Sequence, residues 1–360
     1  MTKDKKILIR WGNKERQSNI EALRLLSMLM VLNLHSFWGY EHGSGLLQVA
    51  DFFRESTSIC AVNAFLLISG YFGIKWKLKS FYNLIFQLFF YAFGVYLVAA
   101  SLGFIKFSTS DFLMNATCLY KHWGFITNYV LLYMLSPMLN AVSEKLKSKD
   151  LLVTILILFV SEWLITRGCG FLNYGIIYLI GRLIRKTNAV DTLKINASRG
   201  YWLSTVAIFL LVFCCYLFTP VKSAELMNVI PIGYSYAAPL VILQAIFIFI
   251  VFARINFTSK FVNWCSASCL SIFLIHMHPA IIKIGYYSFT ESLYDLAPIV
   301  HIAVLLLFIA SVFIGCILID KVRIFISDFI YALLCKIKRL LPEQLFKLET
   351  YLPLVVKNII

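Results

Sequence analysis

The first apolar stretch of the chain, NIEALRLLSMLMVLNLHS from Asn19 to Ser36, contains Glu21, Arg24 and His35. Imidazole is the side chain best suited to take a proton near neutral pH, and it can also carry a group as a nucleophile. Arg24 and His35 are eleven residues apart. On an α-helix this is about three turns, so the two share one stripe, roughly 16 Å apart along the axis. Glu21 precedes Arg24 by three residues, the spacing of a helical ion pair. Either residue alone has a structural account, with Arg24 snorkelling to headgroups beside Glu21 and His35 serving as a hydrogen-bonding group near the surface. Together on one stripe they predict a polar pocket that crosses much of a membrane, because ionisable groups at depth face a cavity rather than lipid.

The elements that position them follow from composition. The 360 residues are 60% hydrophobic and only 14% charged, with a mean hydropathy of +0.81. Soluble domains carry roughly 25% charged residues, so most of this chain belongs in a bilayer. The first nineteen residues are basic and polar, and no cleavable signal pattern is expected there. Apolar runs predict about ten spans, near 20–40, 57–74, 81–102, 125–143, 151–167, 172–186, 201–219, 234–253, 264–284 and 298–319. All should be helices, since lipid offers backbone groups no partner. The expected fold class is therefore an all-α integral membrane protein with both termini cytoplasmic. Its parts are a basic N-terminal segment, 1–19; a membrane domain, 20–320; and a cytoplasmic interfacial helix and tail, 321–360.

Charge supports that arrangement. With the N-terminus inside, the outer segments hold only Arg54, Lys106, Lys121, Arg167, Lys222 and Lys283; nearly all other lysines and arginines fall inside. The net charge of +15 is accounted for by topology and by attraction to anionic lipid headgroups, and no nucleic-acid partner is expected. The histidines have no carboxylate or cysteine ligand set at a useful spacing, so no metal is expected.

Four motifs in order resemble the acyltransferase-3 family of integral membrane acyltransferases. They are IEALR with Arg24 and His35; NAFLLISGYF from Asn63 to Phe72 followed by KWKLK; HWGFITNYVLLYMLSPML from His122 to Leu139; and SIFLIHMHP from Ser271 to Pro279. With the ten-span plan, the resemblance covers nearly the whole chain. It implies transfer of an acyl group, most often acetyl from cytoplasmic acetyl-CoA, to a hydroxyl of a cell-surface polysaccharide or its lipid-linked precursor. The implied setting is the bacterial cytoplasmic membrane. One departure is that Lys75, Lys77 and Lys79 stand where members often show arginines; lysine binds phosphate as a point charge rather than a fork.

Under that resemblance His35 is the expected catalytic base, or alternatively an acyl carrier, supported by Arg24 and Glu21. Arg24, Lys75, Lys77, Lys79, Arg182 and Arg185 are expected to receive the charged acyl-CoA donor, although positive-inside bias also accounts for each lysine. His276 and His278 would point about 200° apart on a regular helix, and the resemblance favours His276 as the site-shaping residue. Trp123 and Glu162 are the remaining acceptor-side candidates, Glu162 having an equally good account as an interfacial residue. The rival functional class is a transporter or flippase of a glycan precursor or small acid, since a polar stripe also describes a substrate path; a membrane scaffold for polysaccharide assembly is the blander alternative.

Overall fold

Helices form here because a chain this apolar must satisfy its backbone internally. The computed structural model describes residues 9–11, 14–38, 42–116, 124–166, 170–218 and 234–340. Apart from a short hairpin pairing Ile9–Trp11 with Lys14–Arg16, the described residues form helices and their connections. In chain order these are α1 (Ser18–Leu34), α2 (Gly45–Ser58), α3 (Ala61–Phe72), α4 (Leu78–Ser101), α5 (Thr109–Ala116), α6 (Gly124–Lys145), α7 (Ser148–Thr166) and α8 (Leu172–Lys186). There follow α9 (Ala189–Thr192), α10 (Ala197–Phe218), α11 (Pro239–Arg254), α12 (Lys260–Ser266), α13 (Cys269–His276), a π-helix (Ile282–Tyr287), α14 (Ser288–Ser292) and α15 (Pro298–Leu340).

Helix α1 is central. Its Ile20 and Leu23 join one buried cluster with α3, α8, α10 and α11; its Met28, Val31 and Leu32 join a second with α4, α13 and α15. The peripheral helices turn apolar residues outward. On α7, Leu152, Leu156, Val160 and Leu164 are all exposed at four-residue spacing, which is one helical face and the face lipid would cover. Among the described residues, Ser80–Ser101, Gly124–Lys145, Ala197–Leu217 and Pro298–Ile330 are long and apolar enough to cross a membrane, and Pro239–Arg254 is apolar but shorter.

Three expected elements differ. The second span, expected near 57–74, is the short helix α3, set off from α2 at Ile59–Cys60; its twelve residues rise only about 18 Å, short of the roughly 30 Å hydrocarbon core. The break is tolerated because side chains occupy carbonyls at the end of α2. Asn33 donates to Arg54 O at 3.2 Å, Gln244 to Ser56 O at 2.8 Å and Tyr201 to Thr57 O at 2.8 Å. The ninth span is likewise divided into α12, α13 and the π-helix. The third difference is at the C-terminus, where α15 runs unbroken from Pro298 to Leu340. Residues 321–340 therefore lie on the same helix as the last expected span, and the rest of the expected tail, 341–360, lies outside the described residues.

Helices α3 and α8 approach backbone to backbone, and glycine makes it possible. A Cβ placed on Gly70 would lie 2.1 Å from the Tyr178 carbonyl oxygen; one on Gly181 would lie 2.6 Å from that of Leu67 and 2.8 Å from the Tyr71 amide. Small residues let membrane helices approach in this way. Gly70→Ala or Gly181→Ala should force the backbones apart and cost about 1–3 kcal/mol, lowering the unfolding temperature in detergent. Gly175→Ala, on the same helix with nothing within 4 Å, should be neutral or slightly stabilising. Equal melting of the Gly181 and Gly175 variants would refute the packing role.

Candidate active site

Helix α1 ends at Leu34 and His35 occupies its C-cap, with φ −75° and ψ −4°. The last turn is held from the side: Tyr286, on the π-helix, donates to Leu32 O at 2.7 Å. His276 is the last residue of α13 and is 3% exposed. The two imidazoles meet, with His35 Nδ1 2.9 Å from His276 Nε2.

The proton positions follow from the outer partner. His276 Nδ1 lies 2.6 Å from the Ile272 carbonyl oxygen, and a carbonyl can only accept. His276 therefore carries its proton on Nδ1, leaving Nε2 as an acceptor when neutral. His35 must then donate from Nδ1, which leaves the lone pair on its Nε2. Among the described residues that nitrogen has no hydrogen-bond partner. A chain of carbonyl, His276 and His35 thus fixes one tautomer and presents one basic nitrogen, the arrangement in which a second group orients a general base.

His35 lines a pocket of about 190 Å³ whose walls include Val62, Phe125, Tyr174, Tyr236 and Phe273. Phe125 and Phe273 are packed with centroids 5.2 Å apart, and Phe273 meets His276 edge-on at 5.8 Å. Asn63, from the NAFLLISGYF stretch, donates to the Tyr236 carbonyl at 2.7 Å and so ties the start of the α11 region to the pocket. An imidazole with an open nitrogen at the end of an aromatic pocket can deprotonate a hydroxyl bound there.

The other expected residues fall into distinct places. Arg24 pairs with Glu21 at 2.5 Å; the arginine side chain is 33% exposed and the glutamate buried. The pair stands on the His35 stripe about three turns away, so neither touches the imidazole. His278 points elsewhere: its Nε2 donates to Ala92 O at 3.1 Å and its Nδ1 accepts from the Ala280 amide at 3.1 Å. Glu162 is buried and accepts from the Gly170 amide at 2.7 Å; it closes the α7–α8 connection and is not among the pocket-lining residues. Trp123 and the Lys79 side chain lie outside the described residues.

At the opposite end of α3 the cations gather. Gly73, at φ +69°, turns the chain out of α3 in a conformation glycine adopts freely. Ile74 donates its amide to Tyr178 (2.8 Å), Tyr178 donates to Asn140 Oδ1 (2.8 Å), and Asn140 donates back to Ile74 O (2.9 Å). This ring holds the segment bearing Lys75 and Lys77, both exposed. Arg182 is committed to the end of α6, donating to Ser143 at 3.0 Å and pairing with Glu144 at 3.2 Å. Arg185 donates to the Tyr71 hydroxyl at 3.2 Å and stacks over that ring. The structure thus brings Lys75, Lys77, Arg182 and Arg185 to one end of α3, with Arg182 already satisfied by protein.

Sequence reasoning missed Tyr286, Tyr174 and Tyr236, which fall in ordinary aromatic-rich runs with no spacing signal. Arg54 reads in the sequence as one of the outer loop charges, with no spacing signal that ties it to His35.

No curated protein matches the chain, and no solved structure does. The family model described as the acyltransferase domain matches residues 17–321, a region that contains both histidines, the pocket and the cationic end of α3. With the free His35 nitrogen at an aromatic pocket inside a helical membrane bundle, that match places the chain in the acyltransferase-3 family, and it is a membrane acyltransferase.

Proposed function

We propose that the chain transfers an acyl group, most simply acetyl, from cytoplasmic acyl-CoA to a hydroxyl of a cell-surface polysaccharide or its lipid-linked precursor, in the bacterial cytoplasmic membrane. The observation that carries this reading is the unpartnered His35 Nε2 at the pocket, fixed by His276. The acceptor hydroxyl gives its proton to His35 Nε2 as its oxygen attacks the thioester carbonyl. The tetrahedral adduct then expels the CoA thiolate, which takes that proton back, giving an ester and free CoA thiol. While His35 is charged, its Nδ1–H bond to His276 stabilises it.

The donor would enter at the cationic end of α3. Lys75, Lys77 and Arg185 supply charge for its phosphates, Arg182 shapes the mouth through Gly73, and Arg24 with Glu21 lies on the way to His35. In this reading ten crossings, counting the broken helices, place both termini and this mouth inside, with the His35 end towards the outer leaflet.

His35→Ala should lower transfer by about 100- to 10,000-fold at matched protein level, measured as ester on the surface glycan and as CoA thiol released in membranes. His276→Ala should cost about tenfold, the worth of one orienting hydrogen bond, and His276→Gln, whose amide oxygen can accept from His35, should recover part of it. A normal rate for His35→Ala would return the pocket to a transport role.

Changing Lys75 and Lys77 together to Gln should raise the acetyl-CoA concentration needed for half-maximal rate and flatten its increase with salt, because exposed charges are screened. Unchanged dependence on both would remove these lysines from donor binding. For topology, a membrane-impermeant thiol reagent should label Lys106→Cys in intact cells and Lys147→Cys only after permeabilisation. The reverse pattern would invert the orientation.

A further inference from the structure

Arg54 counts in the sequence as one of the few outer cations, yet its side chain is only 17% exposed. Its guanidinium grips the chain on both sides of His35. The two N–H bonds of one Nη are shared among Asn33 O (2.9 Å), Asn33 Oδ1 (2.6 Å) and Ser36 Oγ (2.8 Å), all within hydrogen-bond distance; the other Nη lies 3.3 Å from Ser36 O. The remaining edge pairs with Asp51 Oδ1 at 3.2 Å.

Asp51 is buried too, and its second oxygen accepts a very short hydrogen bond from the Tyr294 hydroxyl. The Tyr294 oxygen in turn accepts from the Trp38 amide at 3.2 Å, and Trp38 donates its indole N–H to Thr290 at 3.1 Å. Residues 33, 36 and 38 are thereby fixed to α2 and to the segment around α14. Burial, with the Asp51 carboxylate beside it, holds the Tyr294 phenol above its ordinary value, so it remains a donor.

Stability alone does not explain this arrangement. A buried ion pair is often no better than apolar packing of the same volume. It does provide geometry: the last carbonyls of a helix lack intrahelical partners, and a planar fork of five N–H donors can hold several of them at once, whereas an ammonium cannot. A cation there also offsets the negative end of the α1 dipole.

We propose that Arg54, backed by Asp51 and Tyr294, is a positioning residue for His35: it locks the end of α1 so that the imidazole meets both His276 and the pocket. The inference rests on the base role proposed for His35. An ångström of misplacement at a reacting group can cost about 10²-fold in rate, so the clamp should act on turnover and leave donor binding alone.

The test uses the full-length protein in native membranes, with acetyl-CoA as the varied substrate and CoA thiol release as the readout. Arg54→Gln should lower apparent kcat by about 10- to 100-fold with KM for acetyl-CoA within about twofold, and Arg54→Lys should recover little of it because the fork is lost. Tyr294→Phe, which removes one hydroxyl and keeps the ring, should lower kcat by about tenfold and serves if the Arg54 variants fail to fold. In the His35→Ala background neither change should slow the residual rate further. Normal kcat in both Arg54→Gln and Tyr294→Phe, an equal loss in the His35→Ala background, or a raised KM at unchanged kcat would each overturn the inference. If His35→Ala is nearly inactive while both clamp variants are normal, only the clamp is refuted; a normal His35→Ala refutes the base role itself.

Discussion

The hydrogen bond from His276 Nδ1 to the Ile272 carbonyl sets the chemistry of everything around it. A carbonyl has no proton to give, so the bond leaves His276 one tautomer and, through the 2.9 Å contact, leaves His35 one tautomer as well. A neutral imidazole in isolation can present either nitrogen. Here the choice is made two residues away from the pocket, on a different helix, and it keeps the basic lone pair of His35 from being consumed inside the protein. The surrounding aromatic walls then matter mainly as a boundary: they shape the space beside a nitrogen that has been left open.

That bond exists only because the helices near it are broken. α13 stops at His276, and the π-helix that follows brings Tyr286 back against both Leu32 O and the His276 ring. π-helical turns often occur at functional sites. The interruption between α2 and α3 has the same consequence on the other flank, where it delivers Arg54 and Asp51 to the end of α1. In a bilayer such interruptions survive only when protein satisfies the freed backbone groups. Asn33, Tyr201, Gln244 and Arg54 do this. The polar side chains buried around the site therefore have a structural duty inseparable from any catalytic one: they permit irregular backbone at membrane depth.

The cations divide by the partners they have. Arg254 donates to the carbonyls of Val190, Leu193 and Ile195, Lys186 to those of Ser143, Glu144 and Leu146, and Arg182 to the end of α6. These close helix ends and have little left for a ligand. Lys75 and Lys77 stand exposed on a segment held rigid by the Ile74–Tyr178–Asn140 ring.

Apolar run length and charge were legible without coordinates, because the bilayer acts on composition: so few charges point to a membrane, and apolar runs this continuous are helices rather than barrel strands. The α1 stripe was equally legible, since helical geometry alone puts Arg24, Glu21 and His35 on one face, and motif order pointed to the family and to His276. Three things needed the tertiary structure. Breaks within apolar runs depend on partners distant in sequence, so the ninth span reads as continuous. That the helix of the last span carries on without a break to Leu340 is a property of the backbone, which the change in composition near residue 320 does not record. Arg54 was illegible for a similar reason: an isolated polar residue in a sequence carries no record of its partner, and only the fold shows that it grips the chain around His35.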